Sequence, residues 1–192
     1  MNKILLGYLV LLLLLSRGLP AQAQENEWEK LNTEAMTLYH QGHYDRAAVV
    51  AKKALQVAEQ TMGLNHPNVA GSLNNLAELY RLQGHYKQAL PLYQRALAIW
   101  GNALGPTHQN VAGGLNNLAE LHRVQGQYIQ AEPLYKRALS ILEKTLGPNH
   151  PNVANILENL AALYKKTGRV KEAGVAAKRA AAIRANKHPK KH

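Results

Sequence analysis

The chain has 192 residues, with 23 lysines and arginines against 12 acidic residues, and it contains neither cysteine nor phenylalanine. The absence of cysteine excludes a disulfide framework, a cysteine-ligated zinc site and a cysteine nucleophile. A hydrophobic share of 46% is typical of a chain that folds. The length suits one domain or a short array of repeats.

The first 23 residues have the three parts of a secretory signal. Lys3 precedes an apolar run of twelve residues at 4–15, and Pro20 is followed by the small-x-small triplet at 21–23. We predict cleavage after Ala23 and hence an exported protein, periplasmic or secreted if the source is bacterial. The alternative is an uncleaved anchor, although twelve helical residues cover only about 18 Å of a hydrocarbon core about 30 Å thick.

The remaining chain contains four copies of one repeat unit, spaced 42 residues apart. HPNVAGSLNNLAELY begins at His66, HQNVAGGLNNLAELH at His108 and HPNVANILENLAALY at His150. A degenerate first copy precedes them. Such periodicity indicates stacked supersecondary units. We therefore divide the chain into units 24–66, 67–108, 109–150 and 151–185, followed by a basic tail at 186–192 that we predict to be disordered.

Each unit is predicted to be a helical hairpin, because its apolar residues follow the three-to-four spacing of a helix face. Pro67 suits a first helical turn, Gly84 the end of that helix, and Gly105 the end of the next helix, which starts near Tyr86. His66 and its equivalents are expected to act in turns and caps. In the second unit the two predicted apolar faces consist of Val69, Leu73, Leu76, Ala77 and Tyr80, and of Ala89, Leu92, Tyr93, Ala96, Leu97 and Trp100.

This pattern resembles the tetratricopeptide repeat (TPR), in its longer kinesin-light-chain-like subclass with a 42-residue period. The resemblance implies an all-α, right-handed solenoid of about four hairpins and eight helices. It also implies that the first helices line a concave groove for partner peptides. The residues that carry the resemblance in the second unit are Leu73, Leu76, Ala77, Tyr80, Ala89, Tyr93 and Ala96.

No catalytic pattern stands out, since the chain has no G-x-S-x-G, no phosphate-binding glycine loop and no H-E-x-x-H. Two histidine pairs, His40/His43 and His188/His192, lack accompanying acidic or sulfur ligands. We therefore predict no enzyme activity, no metal and no cofactor.

The candidate binding residues are polar positions that recur on the first helices, beside the apolar stripe. Asparagine amides both donate and accept hydrogen bonds, so they suit the backbone of an extended peptide. Arg81, Arg123 and Lys165 would add a row of positive charge. The full set is Asn74, Asn75, Glu78, Arg81, Asn116, Asn117, Glu120, Arg123, Glu158, Asn159 and Lys165.

The repeated asparagines have a second interpretation, in which Asn75, Asn117 and Asn159 only tie adjacent helices together. Family members that grip a C-terminal carboxylate use a lysine/asparagine clamp in this groove. Glu78 and Glu120 depart from that pattern, because an acidic group would repel a carboxylate.

The positive charge is concentrated in the last unit, since residues 151–192 hold ten lysines and arginines but two acidic residues, whereas residues 24–66 hold four and six. We regard this basic end as a solvated terminus or as a contact for an anionic surface or an acidic protein. Its candidate residues are Arg184, Lys187, Lys190 and Lys191.

The leading hypothesis is a non-catalytic exported scaffold that binds a protein or extended peptide in its groove. The alternatives are a self-associating assembly module and an electrostatic adaptor that uses the basic end. No nucleic-acid partner is expected, and membrane contact is expected only through an uncleaved signal or weak electrostatics.

Overall fold

The computed structural model of the protein describes residues 21–186, and every regular element in that range is an α-helix. Connections of three or four residues join eight helices there, which confirms the predicted all-α class. The helices are α1 (Ala21–His40), α2 (Tyr44–Met62), α3 (Pro67–Leu82), α4 (Tyr86–Leu104), α5 (Gln109–Val124), α6 (Tyr128–Leu146), α7 (Pro151–Lys166) and α8 (Val170–Asn186).

The helices pack in four antiparallel hairpins, which we call units 1 to 4: α1 with α2, α3 with α4, α5 with α6 and α7 with α8. The second helix of each hairpin then packs against the first helix of the next hairpin. A single hairpin cannot bury both of its apolar faces, so the hairpins stack and share a core. This arrangement confirms the predicted α-solenoid.

The first helices of units 2 to 4 begin with a histidine cap. The Nδ1 atom of His66 accepts a hydrogen bond from the backbone N–H of Asn68 at 3.2 Å, and the equivalent bonds of His108 and His150 measure 3.1 Å. These bonds satisfy N–H groups that lack a partner within the helix. The prediction that these histidines cap helices is confirmed.

Two kinds of glycine turn set the direction of the chain. Gly84 has φ +77° in the turn within the unit 2 hairpin, where the N–H of His85 donates to the carbonyl of Tyr80 at 2.8 Å. Gly105 has φ +91° immediately after α4, in the turn between units 2 and 3. Glycine adopts such positive φ values without the steric cost that a Cβ atom imposes.

The predicted apolar faces form the core. All five residues of the α3 face are buried, and on α4 the side chains of Tyr93 and Ala96 are fully buried. Leu92 and Leu97 are only half-buried, at the edge of the core. Tyr93 and Tyr135 are the largest fully buried side chains, so each central unit is built around one tyrosine.

Among the helices of residues 21–186, none is both long and apolar enough to cross a membrane. The predicted signal segment lies outside the described residues, except for Ala21–Ala23 at the start of α1. Residues 187–192 of the predicted tail also lie outside them.

Candidate functional site

The first helices form the inner face of the stack. α3 contacts α5, and α5 contacts α7, in addition to the contacts between helices that are consecutive in sequence. First helices of neighbouring units therefore share one surface of the stack. We call the surface of α1, α3, α5 and α7 the inner face, and that of α2, α4, α6 and α8 the outer face.

A chain of asparagine hydrogen bonds runs along the inner face. The Nδ2 atom of Asn159 donates to Asn116 Oδ1 at 2.8 Å, and Asn116 donates to Asn117 at 3.2 Å. Asn117 in turn donates to Asn74 Oδ1 at 3.1 Å. Four side-chain amides therefore connect units 2, 3 and 4.

A separate bond joins units 1 and 2, from Asn75 Nδ2 to Asn32 Oδ1 at 3.3 Å. The residues that we proposed only to tie helices together, Asn75, Asn117 and Asn159, therefore do bond across unit boundaries. Each amide has two N–H donors and two carbonyl lone pairs, so these bonds leave capacity for a ligand. No deeply buried side-chain nitrogen or oxygen of the described residues lacks a hydrogen-bond partner.

The Asn74–Asn117 bond lies between two pockets, because both asparagines line both of them. The central pocket has a volume of about 370 Å³ and lies between α3, α5 and α7. Its apolar part consists of Trp100, Leu142 and Ile156. Its polar part is formed by side-chain amides, namely those of Asn74, Gln109, Asn110, Asn116, Asn117, Asn152 and Asn155.

The opening of the central pocket depends on Gly113, which is exposed on α5. A Cβ atom at this position would meet no other atom within 4 Å, so the absent side chain leaves free space there. The next residue, Gly114, is different. A Cβ atom there would lie 2.8 Å from Leu97 Cδ2, so Gly114 permits close packing beneath the pocket.

The second pocket has a volume of about 250 Å³ and lies nearer the start of the array. Met36 and Tyr39 of α1 line it together with Glu78 of α3. Burial raises the pKa of Tyr39, and the nearby Glu78 carboxylate raises it further. This pocket therefore combines an apolar wall with one acidic side chain.

Glu78 belongs to a hydrogen-bonded cluster of three side chains within unit 2. Its carboxylate accepts bonds from Arg81 Nη2 at 2.6 Å and from the hydroxyl of Tyr93 at 2.7 Å. Burial raises the pKa of Tyr93, and the charge of Glu78 adds to the increase. The tyrosine hydroxyl is therefore a permanent donor to the carboxylate at physiological pH.

Unit 3 repeats this cluster, with Glu120, Arg123 and Tyr135 in place of the unit 2 residues. Arg123 Nη2 lies 2.6 Å from Glu120 Oε1, and the Tyr135 hydroxyl lies 2.6 Å from Glu120 Oε2. Burial alone would raise the pKa of Glu120. The hydrogen bonds from Arg123 and Tyr135 outweigh that effect, so the pKa of Glu120 is lowered.

These clusters correct the predicted row of positive charge. Arg81 and Arg123 each form an ion pair with a glutamate of the same helix, so their charge is compensated locally. The same pairs compensate Glu78 and Glu120, whose carboxylates were expected to repel an anion. Lys165 is exposed and forms no ion pair with any residue in the range 21–186.

The predicted basic end is also partly compensated. Arg184 of α8 donates to both carboxylate oxygens of Glu158, from Nε at 3.1 Å and from Nη2 at 3.0 Å, and it also bonds Asn155. A residue predicted for the basic end therefore binds a residue predicted for the groove. Lys187, Lys190 and Lys191 lie outside the described residues.

The structure brings only part of the predicted site together. Asn74, Asn75, Glu78, Asn116 and Asn117 line the two pockets. Arg81, Glu120, Arg123, Glu158, Asn159 and Lys165 line neither of them. Sequence reasoning missed the pocket residues Met36, Tyr39, Trp100, Gln109, Asn110, Gly113, Asn152 and Asn155. A signal for part of this set was present, because Asn68, Asn110 and Asn152 recur at the 42-residue spacing.

Within the described range, no group of three or more histidine, aspartate and glutamate side chains could hold a metal ion. The polar residues of the two pockets are amides, one tyrosine and one glutamate that already binds an arginine and a tyrosine. This arrangement suits recognition by hydrogen bonds and apolar contact.

Comparison with known proteins agrees with this architecture. The sequence model of the tetratricopeptide repeat matches residues 29–102, 72–113 and 110–186. No curated protein matches the sequence. Among solved structures, BtubC (BKLC) from P. vanneervenii is similar with a TM-score of 0.74 and 26% identity, over 86% of this chain and 67% of that one.

A second similar structure is a Podosopora anserina protein described as a putative kinesin light chain with nearly identical TPR-like repeats. It has a TM-score of 0.65 and 24% identity, over 83% of this chain and 76% of that one. A single-substitution variant of that protein has a TM-score of 0.68 and 24% identity, over 84% and 76%. At these identities the two Podosopora structures support the fold alone.

Proposed function

Because this chain belongs to the tetratricopeptide repeat family, whose fold is a scaffold for contacts between proteins, we propose that its inner face binds an extended peptide segment of a partner protein. The observation that carries this proposal is the central pocket, where side-chain amides surround an apolar floor. The proposed role is non-catalytic binding.

The amides suit the backbone of an extended chain. Each peptide unit offers one N–H donor and one carbonyl acceptor, and an asparagine amide can pair with both. The bonds between asparagines hold Asn116 and Asn117 in place before a partner arrives. Such preorganisation lowers the entropy that binding costs.

The pocket also favours an uncharged side chain from the partner. None of its lining residues carries a formal charge, and its floor consists of Trp100, Leu142 and Ile156. The nearby charges of Glu78 and Glu120 are compensated by arginine within the same helix. A charged side chain would therefore lose its hydration without gaining an ion pair in the pocket.

Substitution of Gly113 tests the proposal more sharply than removal of the asparagines, which would also break the bonds between units. We expect Gly113→Leu to fold, because the added atoms enter open space and leucine is a better helix former than glycine. Its side chain would cover the apolar floor. Gly174→Leu on the outer helix α8 is the matched control, since Gly174 is also helical, exposed and free of close neighbours.

The experiment selects linear peptides from a random displayed library against the protein and measures their affinities by fluorescence anisotropy. We expect Gly113→Leu to weaken the selected peptides at least tenfold and Gly174→Leu to change their affinity less than twofold. Selection of no peptide, or equal affinity for the protein and Gly113→Leu, would contradict binding in the central pocket.

We also propose that the protein is exported and that residues 1–23 are removed as a signal. The support is the pattern of Lys3, the apolar run and the small residues at 21–23. Mass spectrometry of the protein recovered from its native source should show an N-terminus at Gln24. A chain that retains Met1 would contradict cleavage.

A further inference from the structure

A third pocket lies on the outer face, between α6 and α8, with α7 as its floor. Its volume is about 390 Å³. Its wall is mostly apolar and is formed by Leu139, Leu157, Leu160, Tyr164, Val175 and Ala176. It is separate from the inner-face pockets, with which it shares no residue.

The pocket lies where unit 4 departs from the repeat. Ala176 stands where units 2 and 3 have Leu92 and Leu134, at the spacing of 42 residues. Leu92 and Leu134 are half-buried and pack against the core that contains Leu76 and Leu118. Unit 4 therefore lacks the leucine side chain that covers the core at the corresponding place in the units before it.

The leucines of the surrounding wall are retained, whereas Tyr164 and Val175 stand where unit 3 has His122 and Pro133. Leu139 and Leu160 correspond to Leu97 and Leu118 of the preceding unit. Because unit 4 lacks the aliphatic side chain that Leu92 and Leu134 supply in their own units, we take a leucine side chain as the shape that the pocket accepts. Val175, which is 71% exposed, extends the apolar wall toward solvent.

The rim of the pocket is charged, and most of its charges are compensated. Four charged residues line it, of which Lys136, Lys171 and Arg179 are cations and Glu172 is an anion. Glu172 is bound by Arg169, Lys136 is bound by Glu132 and Arg179 is bound by Glu143. Lys171 is exposed and forms no ion pair with any residue of the described helices. Lys171 therefore offers an uncompensated positive charge to an acidic partner.

We propose that this pocket docks an acidic peptide segment through one leucine side chain, with the leucine in the place that Leu92 and Leu134 occupy in their own units. An acidic neighbour of that leucine pairs with Lys171. This site would be independent of the groove on the inner face and would allow the scaffold to hold two partners at once.

The test uses fluorescein-labelled seven-residue peptides that carry one central leucine flanked by two glutamates on each side. Matched peptides replace the leucine by alanine or the glutamates by lysines. We expect binding of the leucine peptide, at least tenfold weaker binding of the alanine peptide and no binding of the lysine peptide. Binding should also weaken with added salt, because the rim contacts are exposed.

The decisive variant is Ala176→Leu, which places in the pocket the side chain that the equivalent units already have. It should fold, since leucine is accommodated at both equivalent positions, and circular dichroism melting checks that it does. We expect at least a tenfold loss of affinity for the leucine peptide. Ala182→Leu, on an exposed position of the same helix, is the control and should change the affinity less than twofold.

Two further variants separate this site from the groove on the inner face. Lys171→Glu should weaken the leucine peptide, and Gly113→Leu should leave its affinity unchanged, because Gly113 lies on the inner face. The proposal is overturned if binding does not depend on the leucine or is equal in Ala176→Leu. It is also overturned if sedimentation shows that the free protein self-associates and that Ala176→Leu abolishes the association, since a second copy would then be the occupant.

Discussion

The central units and the last unit use the same backbone but different polar chemistry. Units 2 and 3 each contain a glutamate, an arginine and a tyrosine joined by short hydrogen bonds. Unit 4 has a different residue at each of the three equivalent positions. The corresponding positions hold Glu78, Arg81 and Tyr93 in unit 2, Glu120, Arg123 and Tyr135 in unit 3, and Ala162, Lys165 and Ala177 in unit 4.

The three positions change together because each residue depends on the others. A tyrosine hydroxyl in the core needs an acceptor, and a carboxylate that is withdrawn from water needs a cation. Without the tyrosine, the glutamate would lose one of its donors. The fourth unit therefore replaces the whole cluster and places its ion pairs at the surface, where Arg184 binds Glu158.

The largest effect is expected from removal of the tyrosine ring at the centre of unit 2. Tyr93 is fully buried, so Tyr93→Ala leaves a cavity in the core, and we expect a loss of about 3–5 kcal/mol in the free energy of unfolding. Urea denaturation followed by circular dichroism measures it. Tyr93→Phe keeps the ring and should lose less; an equal loss in the two variants would show that the ring does not contribute through packing.

A smaller effect is expected from the charge of the cluster in unit 3. Glu120→Gln weakens the bonds to Arg123 and Tyr135, and hydrogen bonds to a charged group contribute about 1.5–3 kcal/mol. The lowered pKa of Glu120 also predicts a pH dependence of stability. The ionised carboxylate stabilises the folded protein above pH 4.5, the ordinary pKa of glutamate, and this contribution is lost as the pH falls through the pKa of Glu120 in the folded state.

Denaturation at a series of pH values between about 7 and 3 tests this signature. The loss of stability on acidification should be smaller in Glu120→Gln than in the parent protein, because the variant has no carboxylate to protonate at this position. Equal acid dependence in the two proteins would contradict a role for Glu120 in the charge balance of unit 3.

The hairpins could be predicted from the sequence because their determinants are local. The apolar spacing from Val69 to Tyr80, the proline at 67 and the positive-φ glycine at 84 act within one helix and its ends. The caps by His66 and its equivalents involve a residue and its second neighbour, so the repeated pattern was sufficient to predict their place.

The partners of polar side chains could not be predicted, because they depend on how two helices approach each other. The packing role of Tyr93 was expected, but not its bond to Glu78, fifteen residues earlier on the other helix of the hairpin. The joint presence of Glu, Arg and Tyr in two units and their joint absence from the fourth was the signal that could have revealed the cluster. The sequence places Arg184 in the basic end on its charge alone. Its contact with Glu158 joins two helices and therefore could not be predicted.

Two adjacent glycines of α5, Gly113 and Gly114, differ in the space that is available for a side chain. A Cβ at Gly114 would lie 2.8 Å from Leu97 and 3.1 Å from Trp100, so Gly114→Ala should cost about 1 kcal/mol or more. Gly113→Ala meets no neighbour and should gain about 0.5–1 kcal/mol from helix propensity. Thermal melting compares the stability of the two variants. If both variants melt at a higher temperature than the parent protein, Leu97 and Trp100 move away from the added Cβ atom at position 114 without an energetic cost.

The smallest effect is expected in unit 4, where Arg184→Ala removes an exposed ion pair. The side chains of Arg184 and Glu158 are 43% and 49% exposed, and solvent-exposed pairs contribute little to stability. We expect no measurable change in the melting temperature, in contrast to Arg123→Ala, which leaves the half-buried carboxylate of Glu120 without its cation. If both variants lower the melting temperature by a comparable amount, the surface ion pair of unit 4 contributes as much to stability as the ion pair of the cluster in unit 3.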